Sequence, residues 1–273
     1  MNKLFNKKKY ILILFLCVFV SGTSFGQHTE KRRYMIIRTI PYYTLLVNIN
    51  YNQSVLELAG TYNDDVRSKY IYEGETFGAD KGYGGTIVSK ISIGERGVFR
   101  FNQTIGYNRI LSYAFGDKEL ADKGKANYNA FTGSLGLEYN FTPAHRFKIY
   151  LGAEITASII NGETSIWIDN PGYGYQNIGD FKIKNTFRMG YGFNAGSEYT
   201  VNKDFGLNLG VRFYNLNAFN KNAEGTNNDT EFKLRDKDSP GLNFAGNKNF
   251  AFFSLFGGVN FYFGIGEKRY KLK

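Results

Sequence analysis

The sequence predicts an all-β fold, a single closed antiparallel transmembrane β-barrel of about eight strands, with ten strands as the alternative. Three observations predict it. Large apolar residues occupy every second position over long segments, the connections between these segments alternate in length, and the composition favours strands. Aromatic residues make up 17% of the 273 residues, and there are 32 glycines but only 4 prolines.

Period-2 alternation appears in segments longer than the usual strand of a globular protein. We place them at 42–52 (with an extension to 62 as the alternative), 82–94, 98–115, 128–141, 146–160, 186–201, 205–217 and 249–264. Tight turns at 94–97, 142–145 and 202–204 alternate with polar stretches at 63–81, 116–127, 161–185 and 218–248. Short turns at one end and long loops at the other are typical of a barrel with periplasmic turns and extracellular loops.

In each strand, every second side chain is apolar, and the side chains between them are polar or charged; we call each of these alternating sets a parity. An Arg or Lys facing lipid costs about 2–4 kcal/mol at the bilayer midplane, so the charged parity is expected to face the lumen. Two residues break the pattern: we expect Arg109 to reach the outer interface and Gln103 to lie at a bulge. The expected lumen charges are Lys90, Arg100, Glu138, Lys148, Glu154, Arg188, Glu198 and Arg212.

Two interpretations of these charges remain open. A barrel of eight strands is barely wide enough for its own side chains, and buried charges persist when they are paired. The charges therefore form either a salt-bridge plug that fills the lumen or a narrow gated pore for small ions.

The chain ends predict export. Four lysines, the apolar run ILILFLCVFV and small residues before Gln27 are typical of a secretory signal peptide at 1–26. Its removal lowers the formal charge from +10 to +6, because four lysines leave without an acid, and also removes the only cysteine, Cys17. We expect a periplasmic segment at 27–41, the barrel at 42–265, a basic tail at 266–273, and no nucleic-acid partner.

The residues offer little for catalysis. The only histidines are His28, beside the expected cleavage site, and His145, in an expected periplasmic turn. Asp64 and Asp65 are adjacent acids in an Asn-rich loop, and no spacing matches a metal site. We therefore expect no enzyme activity, no cofactor and no metal.

One long loop carries TSIWIDNPGYGYQN at 164–177. Its aromatic residues Trp167, Tyr173 and Tyr175 are candidates for contacting an extracellular glycan or protein partner. The alternative is that Trp167 and Ile168 extend a strand above the membrane.

The segments GYGGTIVSKISIGERGVFRFNQTIGYNR (82–109), NAGSEYTVNKDFGLNLGVRFYNL (194–216) and FSLFGGVNFYFG (253–264) carry a family resemblance. The chain resembles the outer-membrane β-barrel domain family in its PorT-like branch and, more distantly, the small barrels of OmpA and OmpX type. The resemblance implies a bacterial outer-membrane location, lipid contact and no cofactor.

The resulting functional prediction is a non-enzymatic integral outer-membrane protein whose surface loops serve binding or an accessory role in an envelope or secretion complex. The alternative is a porin-like, narrow diffusion pore for small solutes or ions.

Overall fold

A computed structural model of the protein describes residues 34–38, 40–59, 76–94, 96–112, 125–170, 174–222, 231–234, 236–237, 247–264 and 267–271. Eleven strands and one short 3₁₀ turn, Leu56–Leu58, lie in these ranges. The strands are β1 (Tyr34–Arg38), β2 (Tyr43–Val55), β3 (Ala79–Ile93), β4 (Phe99–Ser112), β5 (Lys125–Asn140), β6 (Phe147–Asn170), β7 (Gly174–Thr200), β8 (Phe205–Asn215), β9 (Glu231–Phe232), β10 (Ala251–Phe263) and β11 (Glu267–Lys271).

Eight strands close into an antiparallel ring. Pairing runs from β2 through β8 in chain order, then to β10, which pairs back with β2. Phe263 lies opposite Tyr43, so the ring begins and ends at the same rim. We call this rim the turn end, because the short connections β3–β4, β5–β6 and β7–β8 lie there, and the opposite rim the loop end.

The described ring confirms the all-β closed barrel and gives eight strands, not ten. All eight predicted segments are strands. The expected loop at 161–185 is wrong in most of its length, because β6 and β7 continue as a paired hairpin to Asn170 and Gly174.

Local chemistry explains the tight turns. Gly94 and Gly97 adopt positive φ between β3 and β4, a conformation that glycine adopts without steric cost. Between β7 and β8, the Asn202 side chain accepts hydrogen bonds from the backbone amides of Asp204 and Phe205. This Asx turn reverses the chain within a few residues.

The outer face of the ring is apolar and exposed. Ile49, Ile105 and Ile155 are 79%, 74% and 64% exposed. Gln103 also faces outward, but the register runs past it without a break, so the expected bulge is absent. Arg109 faces outward, opposite Tyr83 and Asn129 on the neighbouring strands.

The chain divides into two compact units, residues 1–37 with 269–273 and residues 38–268. Strands β1 and β11 form a separate two-stranded sheet. The sequence did not predict a strand at 267–271. No helix in the described ranges is long and apolar enough to cross a membrane.

Candidate functional site

Four charged side chains meet inside the ring near the turn end, and we call them the turn-end cluster. Lys90 Nζ lies 2.7 Å from Glu138 Oε2 and 2.8 Å from Glu198 Oε1. Arg100 Nε lies 2.9 Å from Glu138 Oε1, and Arg100 Nη1 lies 3.1 Å from Glu198 Oε1. Two cations thus alternate with two carboxylates in a closed cycle without net charge. All four are almost completely buried.

An aromatic ring packs against this cluster. Lys90 Nζ lies 3.9 Å from the centre of the Tyr150 ring, close enough for a cation–π interaction. Tyr150 crosses the interior where β7 has Gly196, and a Cβ at Gly196 would lie 2.5 Å from Tyr150 Oη. The missing side chain at position 196 makes room for the tyrosine.

Higher in the interior, Glu154 pairs with Arg212, with Oε1 and Nε 3.1 Å apart. Ser134 and Thr104 donate hydrogen bonds to the same carboxylate. The Arg212 guanidinium also donates to Tyr214 Oη at 3.2 Å. The pair therefore links four ring strands, β4, β5, β6 and β8, across the interior.

At the loop end, Arg188 binds a carboxylate that the sequence analysis did not predict. Its Nε lies 2.7 Å from Asp236 Oδ2, and its Nη2 donates to Asp236 Oδ1 at 2.8 Å. Nη2 also donates to the Leu234 carbonyl at 2.9 Å. Asn217 and the Asn222 amide bind the same carboxylate. The connection from β8 to β10, expected to be a surface loop, therefore folds back into the ring here.

Apolar side chains close the interior above this ion pair. Phe77, Tyr128 and Phe250 come from three separate parts of the chain, and their ring centres lie 5.6–5.8 Å apart. Tyr128 Oη donates to the Phe77 carbonyl at 2.9 Å. Leu58 and Leu234 belong to the same buried cluster. We call these five residues the loop-end cap.

The structure buries all eight predicted lumen charges. It joins seven of them in the ion pairs described above, with Asp236 as an additional acid. The eighth, Lys148, donates to Thr200 Oγ1 at 3.1 Å and lies 4.7 Å from the Tyr262 ring centre. This arrangement can hold strands in register; a functional role for these residues stays a prediction.

The predicted loop contacts are only partly described. The backbone of Trp167 pairs with Asn177 and that of Ile168 with Gln176, so both residues extend β6. Tyr173 lies outside the described residues, and the side chains of Trp167 and Tyr175 are also outside them.

Of the His and Asp residues considered for catalysis, the structure describes His145. His145 is exposed in the turn between β5 and β6. His28, Asp64 and Asp65 lie outside the described residues. Within the described ranges, no group of His, Cys, Asp and Glu has the geometry to hold a metal ion.

Two titratable groups at the loop end, Glu57 and Lys221, have pKa values shifted by their surroundings. Burial acts to raise the pKa of Glu57, but hydrogen bonds from the backbone and from Asn249 outweigh it and lower the pKa below the ordinary value of 4.5. Asn249 Nδ2 donates to Glu57 Oε2 at 2.8 Å. Burial lowers the pKa of Lys221, and Asp236 opposes that shift.

A polar row lies on the outer wall near the loop end. Tyr107 Oη donates to Asn129 Oδ1 at 2.8 Å, Asn129 Nδ2 to Asn161 Oδ1 at 3.1 Å, and Asn161 Nδ2 to Asn185 Oδ1 at 2.7 Å. Arg109 lies opposite Asn129 in the register. We call Arg109, Asn129, Asn161 and Asn185 the outer-wall polar row.

Two cavities lie on the outer wall, one at this row and one further toward the turn end. The first, of about 500 Å³, is lined by Asn129, Asn161, Gly162, Glu163, Lys182, Ile183, Lys184, Asn185 and Glu231. The second, of about 450 Å³, is lined by Phe101, Leu135, Gly136, Leu137, Ala153, Glu154, Ile155, Tyr191, Gly192 and Phe193. Alternation predicts which of these residues face outward, but it does not predict a cavity.

No family model matches the sequence, and no curated protein matches it. The PorT-like branch of the resemblance therefore has no support from these comparisons. Solved structures that resemble the chain include Neisserial surface protein A (16% identity, TM-score 0.45, 81% of this chain and 97% of that one). Another is the outer membrane protein OprG from Pseudomonas aeruginosa (10% identity, TM-score 0.42, 81% of this chain and 96% of that one). A third is Ail, the attachment invasion locus protein of Yersinia pestis (9% identity, TM-score 0.36, 83% of this chain and 98% of that one). Because these TM-scores are low, the fold assignment rests on the strand register of the chain itself.

Proposed function

We propose that the protein is a non-enzymatic integral β-barrel of the bacterial outer membrane that makes contacts through its loop end. One observation carries the proposal: the ring is apolar and exposed on its outside and charged and buried on its inside. In water, the exposed apolar belt would be unfavourable, whereas hydrocarbon solvates it. A closed ring also satisfies the backbone hydrogen bonds of every strand, as a bilayer requires.

A gel experiment tests the location and the closed ring together. Outer-membrane fractions are run with and without boiling, and a closed barrel is expected to migrate faster before boiling. N-terminal sequencing of the same band is expected to begin at Gln27, which tests the proposed signal peptide at 1–26. Protein found in the soluble fraction, with one mobility regardless of boiling, would contradict the proposal.

The surface role is supported by the β6–β7 hairpin. These two strands have 24 and 27 residues, whereas the other ring strands have 11–16. β5 accompanies β6 as far as Ser165, and β9 pairs with β7 at Lys182 and Ile183. Within the described residues, the hairpin beyond these positions pairs only with itself and so projects past its neighbours. We propose that this projection, with Trp167, Tyr173 and Tyr175, contacts an extracellular glycan, a protein, or a subunit of an envelope or secretion complex.

A shortened variant tests this role. Residues 166–179 are replaced by a two-residue hairpin turn that joins the register partners Ser165 and Asp180, and whole cells are compared in glycan-array and pull-down binding. The variant is expected to lose partners that the wild type retains, while its heat-modifiable band persists. Trp167→Ala shows whether the tryptophan carries the contact. Identical binding by the wild type and the shortened variant would contradict the proposed surface role.

A further inference from the structure

We infer that the outer wall of β4–β7 binds an outer-leaflet glycolipid, with the outer-wall polar row and its cavity holding a phosphorylated sugar headgroup. The inference rests on the proposed membrane location. It begins with position. One residue row toward the turn end, Tyr107, Phe131, Ile159 and Phe187 lie opposite one another on the outer face. Aromatic residues in such a row are typical of the membrane interface.

The height of the polar row follows from strand geometry. Two residues along a strand advance about 7 Å, and a tilt of about 40° reduces the rise to roughly 5 Å. The headgroup layer on each side of the hydrocarbon core is about 5–7 Å thick. The polar row therefore lies at the level where the headgroups of outer-leaflet lipids lie.

The chemistry of the row suits sugars and phosphate. The amide hydrogen bonds all run from β4 toward β7 and end at Asn185, whose Nδ2 donates to no described residue. Lys184 is paired with Glu231 at 3.0 Å. Lys182 and Arg109 form no ion pair with any described residue, although Lys182 lies opposite Glu163 in the register. Cations suit a phosphate, and amide and carboxylate groups suit sugar hydroxyls.

The spacing also suits a headgroup larger than one sugar. Arg109 lies on β4 and Lys182 on β7, three strand intervals apart. Lys182 lies opposite Glu163, two residues (about 7 Å) beyond the row of Arg109, so at about 4.8 Å per interval their backbones are separated by roughly 16 Å. The cavity between Asn161 and Lys182 has a volume of about 500 Å³, which is within the range of small-molecule sites.

A separate apolar cavity lies further toward the turn end on the same wall. The second cavity, of about 450 Å³, lies between Leu135 and Leu137 on β5 and Phe193 on β7, with Ala153 at its floor. It lies in the hydrocarbon zone below the aromatic row, where an acyl chain would lie. Because the polar row lies at the level of the headgroups, its position favours a lipid over a soluble glycan as the occupant.

Native mass spectrometry of the delipidated, detergent-folded full chain tests the inference. The probes are a diphosphorylated disaccharide lipid (lipid A), phosphatidylglycerol, and the deacylated diphosphorylated disaccharide. The wild type is expected to prefer lipid A over phosphatidylglycerol, and the double variant Arg109→Gln/Lys182→Gln to bind lipid A about tenfold more weakly. Asn161→Ala, which interrupts the amide row, is expected to weaken lipid A binding without changing phosphatidylglycerol binding.

The matched control removes the same charge from the opposite rim. Arg96→Gln/Lys203→Gln changes two exposed cations at the turn end and is expected to leave lipid A binding unchanged. Equal binding of lipid A and phosphatidylglycerol, or equal loss in both double variants, would overturn the inference. So would equal affinity for the deacylated disaccharide, which would indicate a soluble glycan. A heat-modifiability gel on the same samples separates these outcomes from failure of the barrel, which would overturn the proposed function as well.

Discussion

Glu138 contacts cations on two neighbouring strands, Lys90 on β3 and Arg100 on β4. In Glu138→Gln both cations would depend on Glu198 alone. Removing one partner of a buried pair costs about 3–5 kcal/mol, so we expect a lower unfolding temperature in detergent. Glu163→Gln, which neutralises an exposed carboxylate on the outer wall, is the control. Equal unfolding temperatures for the two variants would show that the cluster contributes little to stability.

Gly196 is required by the size of its neighbour rather than by backbone conformation. In Gly196→Ala, the new Cβ would lie 2.5 Å from Tyr150 Oη, and overpacking of this kind costs about 1–3 kcal/mol. We expect a lower unfolding midpoint in a urea titration. Adding Tyr150→Phe removes the clashing oxygen and is expected to recover part of the loss.

Gly133→Ala is the matched control, because a Cβ there meets no atom within 4 Å. It is expected to leave the midpoint unchanged. A similar loss at positions 133 and 196 would mean that strand propensity, not packing against Tyr150, determines the effect.

At the residue scale, alternation predicted faces but not partners. Glu138 and Arg188 were assigned to the interior because a charge on the opposite face would meet lipid. Tyr150 lies an even number of residues from Lys148 and Glu154, so the same alternation also predicts that its side chain faces the interior. Asp236 is different. It lies in a connection without alternation, and only the folded chain brings it to Arg188.

Among the elements, the β6–β7 hairpin shows where alternation stops being informative. The two faces of a strand differ strongly only where one faces hydrocarbon. Beyond the lipid, both faces can be polar, and NGETSIWIDN (161–170) accordingly has no regular contrast. The backbone pairs there nevertheless, with irregularities of register near Gly162 and Trp167. The sequence therefore located the strands at membrane depth, and the alternative that Trp167 and Ile168 extend a strand above the membrane is confirmed. The alternation did not predict that the pairing continues over most of 161–185.

We expect Asp236 to hold the connection from β8 to β10 in position. Asp236→Asn preserves shape but replaces one oxygen that binds Arg188 with a donor, which weakens the bidentate pair. We expect trypsin to cleave faster after Lys233 and Lys237, both exposed, while the ring keeps its heat-modifiable mobility. Asp204→Asn, in the exposed turn between β7 and β8, is the control. Unchanged cleavage rates would mean that other contacts hold the connection.

For the whole molecule, the closed ring was predictable because the two faces of the sheet meet different environments, hydrocarbon on the outside and the lumen on the inside. With hydrocarbon outside and paired charges inside, only one assignment of each strand's apolar and charged side chains to the two faces is possible. An even strand count brings both ends of the ring to one rim. The contents of the ring were not predictable to the same degree. The loop-end cap joins Phe77, Tyr128 and Phe250 from distant parts of the chain, and no local pattern relates them.

The interior determines whether the barrel conducts. A ring of eight strands is just wide enough for its side chains, and here the turn-end cluster, the Glu154–Arg212 pair and the loop-end cap occupy successive levels. We therefore expect no steady openings in planar bilayers at neutral pH. Replacing residues 223–247 with a short linker removes Leu234 and Asp236 but leaves the two lower levels, so this variant is also expected to be silent.

Steady openings in the wild type would favour the diffusion pore. Openings only in the shortened variant would mean that the β8–β10 connection, not the ion pairs, closes the lumen.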